Sequence, residues 1–158
     1  MRFIKFLYVI IVISSINAAF AKNLDEIVVT GTKDKSQILD STGNIAFIDS
    51  EEIKFISPHT PSELLNRMPG VFISRGSGQE HLTSIRSPIL SGGAGAGSFL
   101  YLEDGIPLRS PGFANVNGLM DSIMEISERV EIIRGPGSVL YGSNAIHGLI
   151  NVITEKDE

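Results

Sequence analysis

The amino-acid sequence predicts a small α+β domain, with a mixed sheet of about four strands and short helices packed against it. Two patterns favour this class: short runs of β-branched residues recur along the chain, and none of the helical segments between them is long. The chain has 158 residues and is 42% hydrophobic, so it can bury one modest core. A charged fraction of 20% argues against intrinsic disorder.

The first 21 residues have the three parts of a secretory signal peptide. Arg2 and Lys5 precede the apolar run Phe6–Ile13, and Ala19-Phe20-Ala21 is a small-residue cleavage site. A membrane-spanning anchor would need about 20 apolar residues, and polar residues interrupt this run too early. We therefore expect residues 1–21 to be cleaved off and the protein to be exported.

The net charge argues against nucleic acid as a partner, and the lack of cysteine limits the covalent and metal chemistry of the chain. Cleavage removes two basic residues, Arg2 and Lys5, and no acid, which moves the net charge from −5 to −7. A chain of that sign does not bind nucleic acid non-specifically, because such binding requires basic side chains that displace counterions. The sequence has no cysteine, so disulfide bonds and thiolate metal sites are excluded and packing must stabilise the domain.

The exported chain begins with a strand-forming segment, Ile27–Thr30, which follows the acidic pair Asp25-Glu26 and precedes a polar linker, Thr32–Thr42. Two interpretations are open. The segment is either an ordinary edge strand docked on its own domain, or a strand that adds to the exposed sheet edge of a partner. In the second case the backbone hydrogen bonds provide the affinity.

One strand and two short helices follow. Asn44–Asp49 has the alternation of a strand, and Ser50 is placed to cap a first helix. Thr60–Glu63 is a capping box with proline at the first helical position, and Pro69-Gly70 should end this second helix. The residues expected to face inward are Ile45, Phe47 and Ile48 in the strand and Leu64, Leu65 and Met68 in the second helix.

Strands and loops alternate through the middle of the chain. Val71–Ser74 and Thr83–Arg86 are predicted strands, and Phe99–Leu108 is a predicted hairpin around the turn Asp104-Gly105, where glycine tolerates positive φ. The glycine-rich stretch Ser91–Ser98 has neither the P-loop spacing nor the dinucleotide-loop spacing. We therefore interpret it as a mobile loop and not as a phosphate site.

The last third of the chain starts with a Pro/Gly/Asn-rich loop, Arg109–Val116. Leu119–Ile126 is a predicted short helix with Leu119, Ile123 and Ile126 on one side. In Arg129–Ile133, the residues Arg129, Glu131 and Ile133 alternate with Val130 and Ile132, which is the period of two that is typical of a half-buried strand. Gly135-Pro136-Gly137 ends that strand, since proline cannot donate to a ladder.

The chain ends in a short turn and a strand. Ser138 is placed to cap a helical turn that extends through Tyr141, and Leu149–Ile153 is apolar and rich in β-branched residues, as in a buried strand.

No pattern of catalytic or metal-ligating residues is present. His59, His81 and His147 have no paired spacing, and Ser143 lies in YGSNA, which lacks the second glycine of a nucleophile elbow. The carboxylate pairs Glu128/Glu131 and Glu103/Asp104 lie on strands and turns, where such pairs are usually solvated or salt-bridged. We expect no enzyme activity, no metal site and no cofactor.

Several sub-strings resemble the plug domain of TonB-dependent outer-membrane receptors: ERVEIIRGP, LYGS and NVIT in the closing segment, LLNRMPGV in the second helix and DGIPL in the hairpin. The resemblance covers Asp25 to Thr154 and implies that residues 43–154 form a plug domain. In such receptors the plug continues into a 22-stranded barrel, for which this chain is too short. Residues 155–158 occupy the position at which the linker to the barrel would begin.

The string DEIVVTGT resembles the TonB box, the segment that receptors offer to TonB in the periplasm. The resemblance implies that residues 22–42 are a TonB-box segment with a flexible linker, and that the C-terminal domain of TonB is a partner. The residues implied to bind it are Asp25, Glu26, Ile27, Val28, Val29 and Thr30.

Arg86 and Arg134 end predicted strands beside proline or glycine turns, so they are either solvated or bridged within the domain. In the family, the arginines of the IRG and RGP motifs face barrel glutamates, which implies that this pair docks the plug to a barrel. Arginine suits that role because its planar fork binds carboxylates bidentately. Arg134 matches its motif, whereas Arg86 is followed by Ser87 instead of glycine; His147 also replaces a usual glycine.

The resemblance further implies loops that face a small-molecule ligand such as a metal chelate, in the ferric siderophore or cobalamin class. The residues assigned to them are Ser91, Gly92, Gly93, Ala94, Gly95, Arg109, Ser110 and Phe113. Two functions stay open: a transport module in the outer membrane that closes a barrel, or a stand-alone periplasmic plug that binds TonB or a ligand. A periplasmic enzyme is a third only if the motif interpretation is wrong.

Overall fold

The computed structural model describes eight parts of the chain: residues 27–28, 30–31, 36–37, 44–76, 81–87, 98–108, 122–142 and 144–154. The predicted signal peptide and the residues 155–158 lie outside these ranges. Within them, no helix combines the length and the apolar character needed to cross a membrane.

Short strands dominate the described residues. The strands are β1 (Ile27–Val28), β2 (Ser36–Gln37), β3 (Ile45–Asp49), β4 (Val71–Arg75), β5 (His81–Ile85), β6 (Phe99–Glu103), β7 (Ile106–Pro107), β8 (Ser127–Ile133) and β9 (Gly148–Thr154). The helices are α1 (Ser50–Ile56), α2 (Pro61–Leu65) and α3 (Ser138–Tyr141), with a 3₁₀ turn at Met124–Ile126.

The main sheet has the strand order β3-β8-β9-β6-β7. The β6–β9 pair is parallel and the other three pairs are antiparallel, so the predicted mixed sheet and α+β class are confirmed. The sheet has five strands, close to the predicted number of about four, and the two-residue edge strand β7 is the second arm of the predicted Asp104-Gly105 hairpin. Strands β1–β2 and β4–β5 form two separate two-stranded sheets.

The main sheet separates two apolar clusters, because alternate residues of a strand point to opposite faces. Val130 and Ile132 of β8 belong to the larger cluster, which α1 and α2 cover. Ile133 of β8 and Leu149 of β9 belong to the smaller one, with Tyr141 packed against it. Strands β8 and β9 are therefore buried on both faces in their inner halves. This confirms the buried strand predicted at Leu149–Ile153, whereas β8 is buried more deeply than the half-buried strand that its alternation predicts.

Gly148 shows why the start of β9 needs glycine. A Cβ atom there would lie 2.7 Å from the carbonyl oxygen of Ile133 and 3.0 Å from Cδ1 of Ile85. The first contact is with backbone and cannot be relieved by a rotamer change, so only glycine lets β8 and β5 pack this closely on β9.

The predicted helix starts need correction. Asp49, not Ser50, caps α1, because the Asp49 carboxylate accepts the N–H of Glu52 at 2.8 Å. Thr60 is the N-cap residue of α2 but makes no side-chain capping bond, and the Glu63 carboxylate accepts the N–H of His59 at 2.9 Å. Gly137, not Ser138, precedes α3 as its N-cap.

The apolar face predicted for Leu119–Ile126 is also wrong where it can be compared. Met124 is buried, whereas Ile123 and Ile126 are 59% and 70% exposed. The reason is geometric: the described segment is a three-residue 3₁₀ turn, and an α-helical period of 3.6 does not apply to it. Leu119 lies outside the described residues.

Other expectations are confirmed. Ile45, Ile48, Leu64, Leu65 and Met68 are buried, and Phe47 is half-buried against the smaller cluster. Asp104 and Gly105 both have positive φ, 49° and 79°, as the tight turn of the hairpin requires.

Candidate functional site

Two polar residues face each other in the middle of the buried sheet. Glu131 of β8 pairs across the ladder with Asn151 of β9. The period of two places both on the face that carries Ile133 and Leu149, and both are essentially fully buried, at 0% and 1% exposure. Buried polar groups at such positions need hydrogen-bond partners, since desolvation without them is unfavourable.

Thr30 supplies these partners from the start of the chain. Its N–H donates to Oε2 of Glu131 at 2.7 Å, and its Oγ1 accepts from Nδ2 of Asn151 at 2.9 Å. Its carbonyl oxygen accepts from the Tyr141 hydroxyl, also at 2.9 Å. We call these four residues the Thr30 anchor; Thr30 itself is 0% exposed.

The charge of Glu131 strengthens the anchor. Burying a carboxylate without donors is strongly unfavourable, and a hydrogen bond to a charged group contributes about 1.5–3 kcal/mol. Nη1 of Arg129 lies 3.8 Å from Oε1 of Glu131 and partly balances the charge. Burial, and secondly the negative charge of Glu131, raise the pKa of Tyr141 further above neutral, which favours the protonated hydroxyl as a donor.

The leading strand is therefore not a free terminus. Ile27 pairs with Gln37 and Val28 with Ser36, so β1 is already bonded to a piece of the linker that was expected to be flexible. Thr30 then fastens the segment to the main sheet. Of the other predicted TonB-binding residues, Asp25, Glu26 and Val29 lie outside the described residues.

The predicted barrel-docking residues Arg86 and Arg134 converge on one turn, Pro69-Gly70. Nη1 of Arg134 donates to the Pro69 carbonyl, and the backbone N–H of Arg86 donates to the Gly70 carbonyl, both at 2.8 Å. A Cβ on Gly70 would lie 3.1 Å from Cγ of Arg86, so the Arg86 side chain lies against the glycine. We call Arg86 and Arg134 the arginine pair.

Arg86 adopts positive φ, 50°, at the position before the unusual Ser87. The Ser84 hydroxyl donates to the Ser87 carbonyl, which closes this turn. The departure from the family glycine is thus accommodated locally, and Arg86 still reaches the Pro69-Gly70 turn.

The positive charges of the arginine pair favour binding of an anion. Burial, and secondly the positive charge of Arg86, lower the pKa of Arg134. Within the described residues, no carboxylate lies within 4.0 Å of either guanidinium, and Nε of Arg134 is buried without a hydrogen-bond partner. Since arginine stays protonated, an incoming carboxylate would relieve the repulsion and accept bidentate hydrogen bonds.

The predicted ligand-facing residues from Ser91 to Gly95 and at Arg109, Ser110 and Phe113 lie outside the described residues. Among those that are described, no three His, Asp or Glu side chains are grouped as metal ligands. Sequence reasoning missed the anchor roles of Glu131, Tyr141 and Asn151. The available signal was a single polar residue within each apolar strand, VEII and LINVI.

Comparisons with known proteins agree with this fold. The family model described as TonB-dependent Receptor Plug Domain matches residues 37–149. Vitamin B12 transporter BtuB of Vibrio vulnificus (strain CMCP6) is 32% identical over 147 residues, covering 92% of this chain and 23% of that protein. The chain thus spans about a quarter of the length of this relative.

Solved structures of outer-membrane receptors and transporters contain a similar fold. The unliganded ferric citrate transporter FecA superposes with a TM-score of 0.59 at 27% identity, over 72% of this chain and 18% of that one. The outer-membrane ferripyoverdine receptor of Pseudomonas aeruginosa has a TM-score of 0.63 at 22% identity, over 84% of this chain and 17% of that one, and supports the fold alone.

Replacing Tyr141 with phenylalanine should loosen the leading segment without unfolding the domain. The change removes the hydrogen bond to the Thr30 carbonyl, and we expect amide exchange at Thr30 to accelerate about fivefold, as loss of one hydrogen bond implies. Hydrogen exchange followed by NMR measures this. Tyr101→Phe is the matched control, because its hydroxyl bonds to Thr83 instead. Unchanged exchange in Tyr141→Phe would contradict the anchor.

Proposed function

Because this chain belongs to the plug-domain family of TonB-dependent receptors, we propose that it is the plug module of an outer-membrane receptor. In this role it closes a barrel and passes its leading strand to the C-terminal domain of TonB. The observation that carries the proposal is the Thr30 anchor: the segment that resembles a TonB box is tied to the sheet at its inner end, directly beside its strand-forming residues.

Strand exchange gives a physical route to the coupling. The β1–β2 pair involves two residues on each side, whereas a partner strand along residues 25–30 would form four to six backbone hydrogen bonds at ~1 kcal/mol each. That sum corresponds to a dissociation constant between about 1 mM and about 40 µM before the ordering of the segment is subtracted, so the contact is weak. Such a contact can form and break repeatedly, while Thr30 transmits the pull to the main sheet.

The arginine pair supports docking to a barrel. Two guanidinium groups on one turn, with no carboxylate nearby among the described residues, match a pair of carboxylates supplied by another surface. In this proposal those carboxylates belong to the barrel wall, and Arg134 contributes more than Arg86 because its Nε is buried and still lacks an acceptor.

The ligand is proposed by class. One relative is a vitamin B12 transporter, and a structural neighbour at 27% identity is a ferric citrate transporter. A cobalamin or ferric siderophore that contacts residues 91–95 together with Arg109, Ser110 and Phe113 fits this group. Export by the predicted signal peptide and retention at the outer membrane through the barrel complete the proposal; recovery of the protein only in the periplasm would favour a stand-alone binding protein.

Val28→Pro should abolish binding to the C-terminal domain of TonB, since proline removes a backbone donor from the added strand. Binding of the exported chain is measured by isothermal titration calorimetry. Gln37→Pro is the matched control: it disturbs the same β1–β2 pair but lies outside the segment offered to TonB, so binding should persist. Binding that survives Val28→Pro, or that both changes reduce equally, would refute strand addition at this segment.

Arg134→Ala should weaken association with a barrel supplied in trans by about 30-fold or more, because truncating one partner of a buried charge pair costs at least about 2 kcal/mol. Co-purification from outer membranes measures it. Arg75→Ala, which removes an exposed arginine from the end of β4, should have little effect. Equal effects of the two changes would leave Arg134 as an ordinary surface charge.

A further inference from the structure

Asn151 connects Thr30 to the Asp104-Gly105 turn. Its Nδ2 donates to Oγ1 of Thr30 at 2.9 Å, and its Oδ1 accepts the backbone N–H of Gly105 at 3.0 Å. A single buried amide thus holds both the leading segment and the Asp104-Gly105 turn. Because both ends of the amide are bonded, it cannot rotate without breaking one of these contacts.

The Asp104-Gly105 turn in turn holds the end of β9. The Asp104 carboxylate accepts the N–H of Thr154 at 3.0 Å and its hydroxyl at 2.6 Å, and the N–H of Asp104 donates to the Val152 carbonyl at 2.9 Å. Asp104 and Gly105 have positive φ, 49° and 79°, which suits a tight Asp-Gly turn. These contacts and the Asn151 amide hold the turn against the end of β9.

We propose that Asn151 is a positioning residue that couples occupancy of the Thr30 anchor to the Asp104-Gly105 turn and, through it, to Thr154. When Thr30 leaves, Oε2 of Glu131 loses a donor and Nδ2 of Asn151 loses an acceptor. These groups belong to cross-strand partners, whose Cβ atoms lie about 5 Å apart in such pairs. Rotation of the Asn151 amide toward Glu131 satisfies both.

That rotation carries Oδ1 away from the N–H of Gly105. The turn then loses its hydrogen bond to Asn151, and the contacts of Asp104 with Thr154 loosen. This proposal rests on the proposed function in one respect only, namely that TonB is the partner that withdraws Thr30. The coupling itself is a property of this chain and needs no partner to be observed.

Hydrogen exchange in the full exported chain tests the coupling without TonB. Thr30→Val removes the acceptor of the Asn151 amide while keeping the side-chain shape, and amide exchange at Gly105 should accelerate about fivefold or more, with a smaller rise at Thr154. Thr30→Ser keeps the hydroxyl and should retain the protection of Gly105. Thr83→Val is the matched control, since it removes a buried hydroxyl bonded to Tyr101 and should leave Gly105 unchanged.

Protection of Ile48 and Val130, in the β3–β8 ladder, verifies that each variant is folded. Should Thr30→Val unfold the domain, Thr30→Ala makes the same deletion with the same expected result. Unchanged Gly105 exchange in a folded variant lacking the hydroxyl would overturn the coupling and leave TonB binding untouched. If the exported chain does not bind TonB, but the variants without the Thr30 hydroxyl still show faster exchange at Gly105, only the proposed function is rejected.

Discussion

A carboxylate buried in the middle of an apolar sheet is the constraint on which the rest of the structure depends. Glu131 lies at 0% exposure between Val130 and Ile132, in a strand that is buried on both faces in its inner half. A charge in that environment requires donors, and the backbone N–H of Thr30 provides one from 101 positions away in the sequence. The demand of one side chain thus determines where the leading segment of the chain is fastened.

The same strand organises both candidate contacts with partners. Glu131 of β8 accepts the hydrogen bond from Thr30, and Arg134, directly after the strand, reaches the Pro69 carbonyl on the turn that also holds Arg86. A pull applied at the leading strand is therefore received only a few residues from the proposed docking point of the barrel. Asn151, opposite Glu131, extends the connection to the end of β9. In the proposed function, coupling and docking share one rigid element.

The structural features that depend on neighbouring residues could be predicted from the sequence. The Asp104-Gly105 hairpin, the main strands and the mixed α+β class follow from turn chemistry and alternation, which act over a few residues. The cap of α1 was predicted one position late, because Asp49 and Ser50 are both good capping residues and backbone geometry chooses between them, whereas the N-cap position Thr60 of α2 was predicted correctly. The docking of Thr30 was not predictable, since its partners are 101, 111 and 121 positions away. The available sign was Glu131 itself, a lone charge in an apolar strand.

The central claim is that Glu131 holds the leading segment, and a double-mutant cycle tests it most directly. The free energy of unfolding in urea is measured for residues 22–158 and 32–158, each with Glu131 and with the Glu131→Met substitution. The account predicts that removing residues 22–31 destabilises the Glu131 protein more than the Glu131→Met variant, by at least about 1.5 kcal/mol, the contribution of a charged hydrogen bond. Equal losses in the two backgrounds would contradict it.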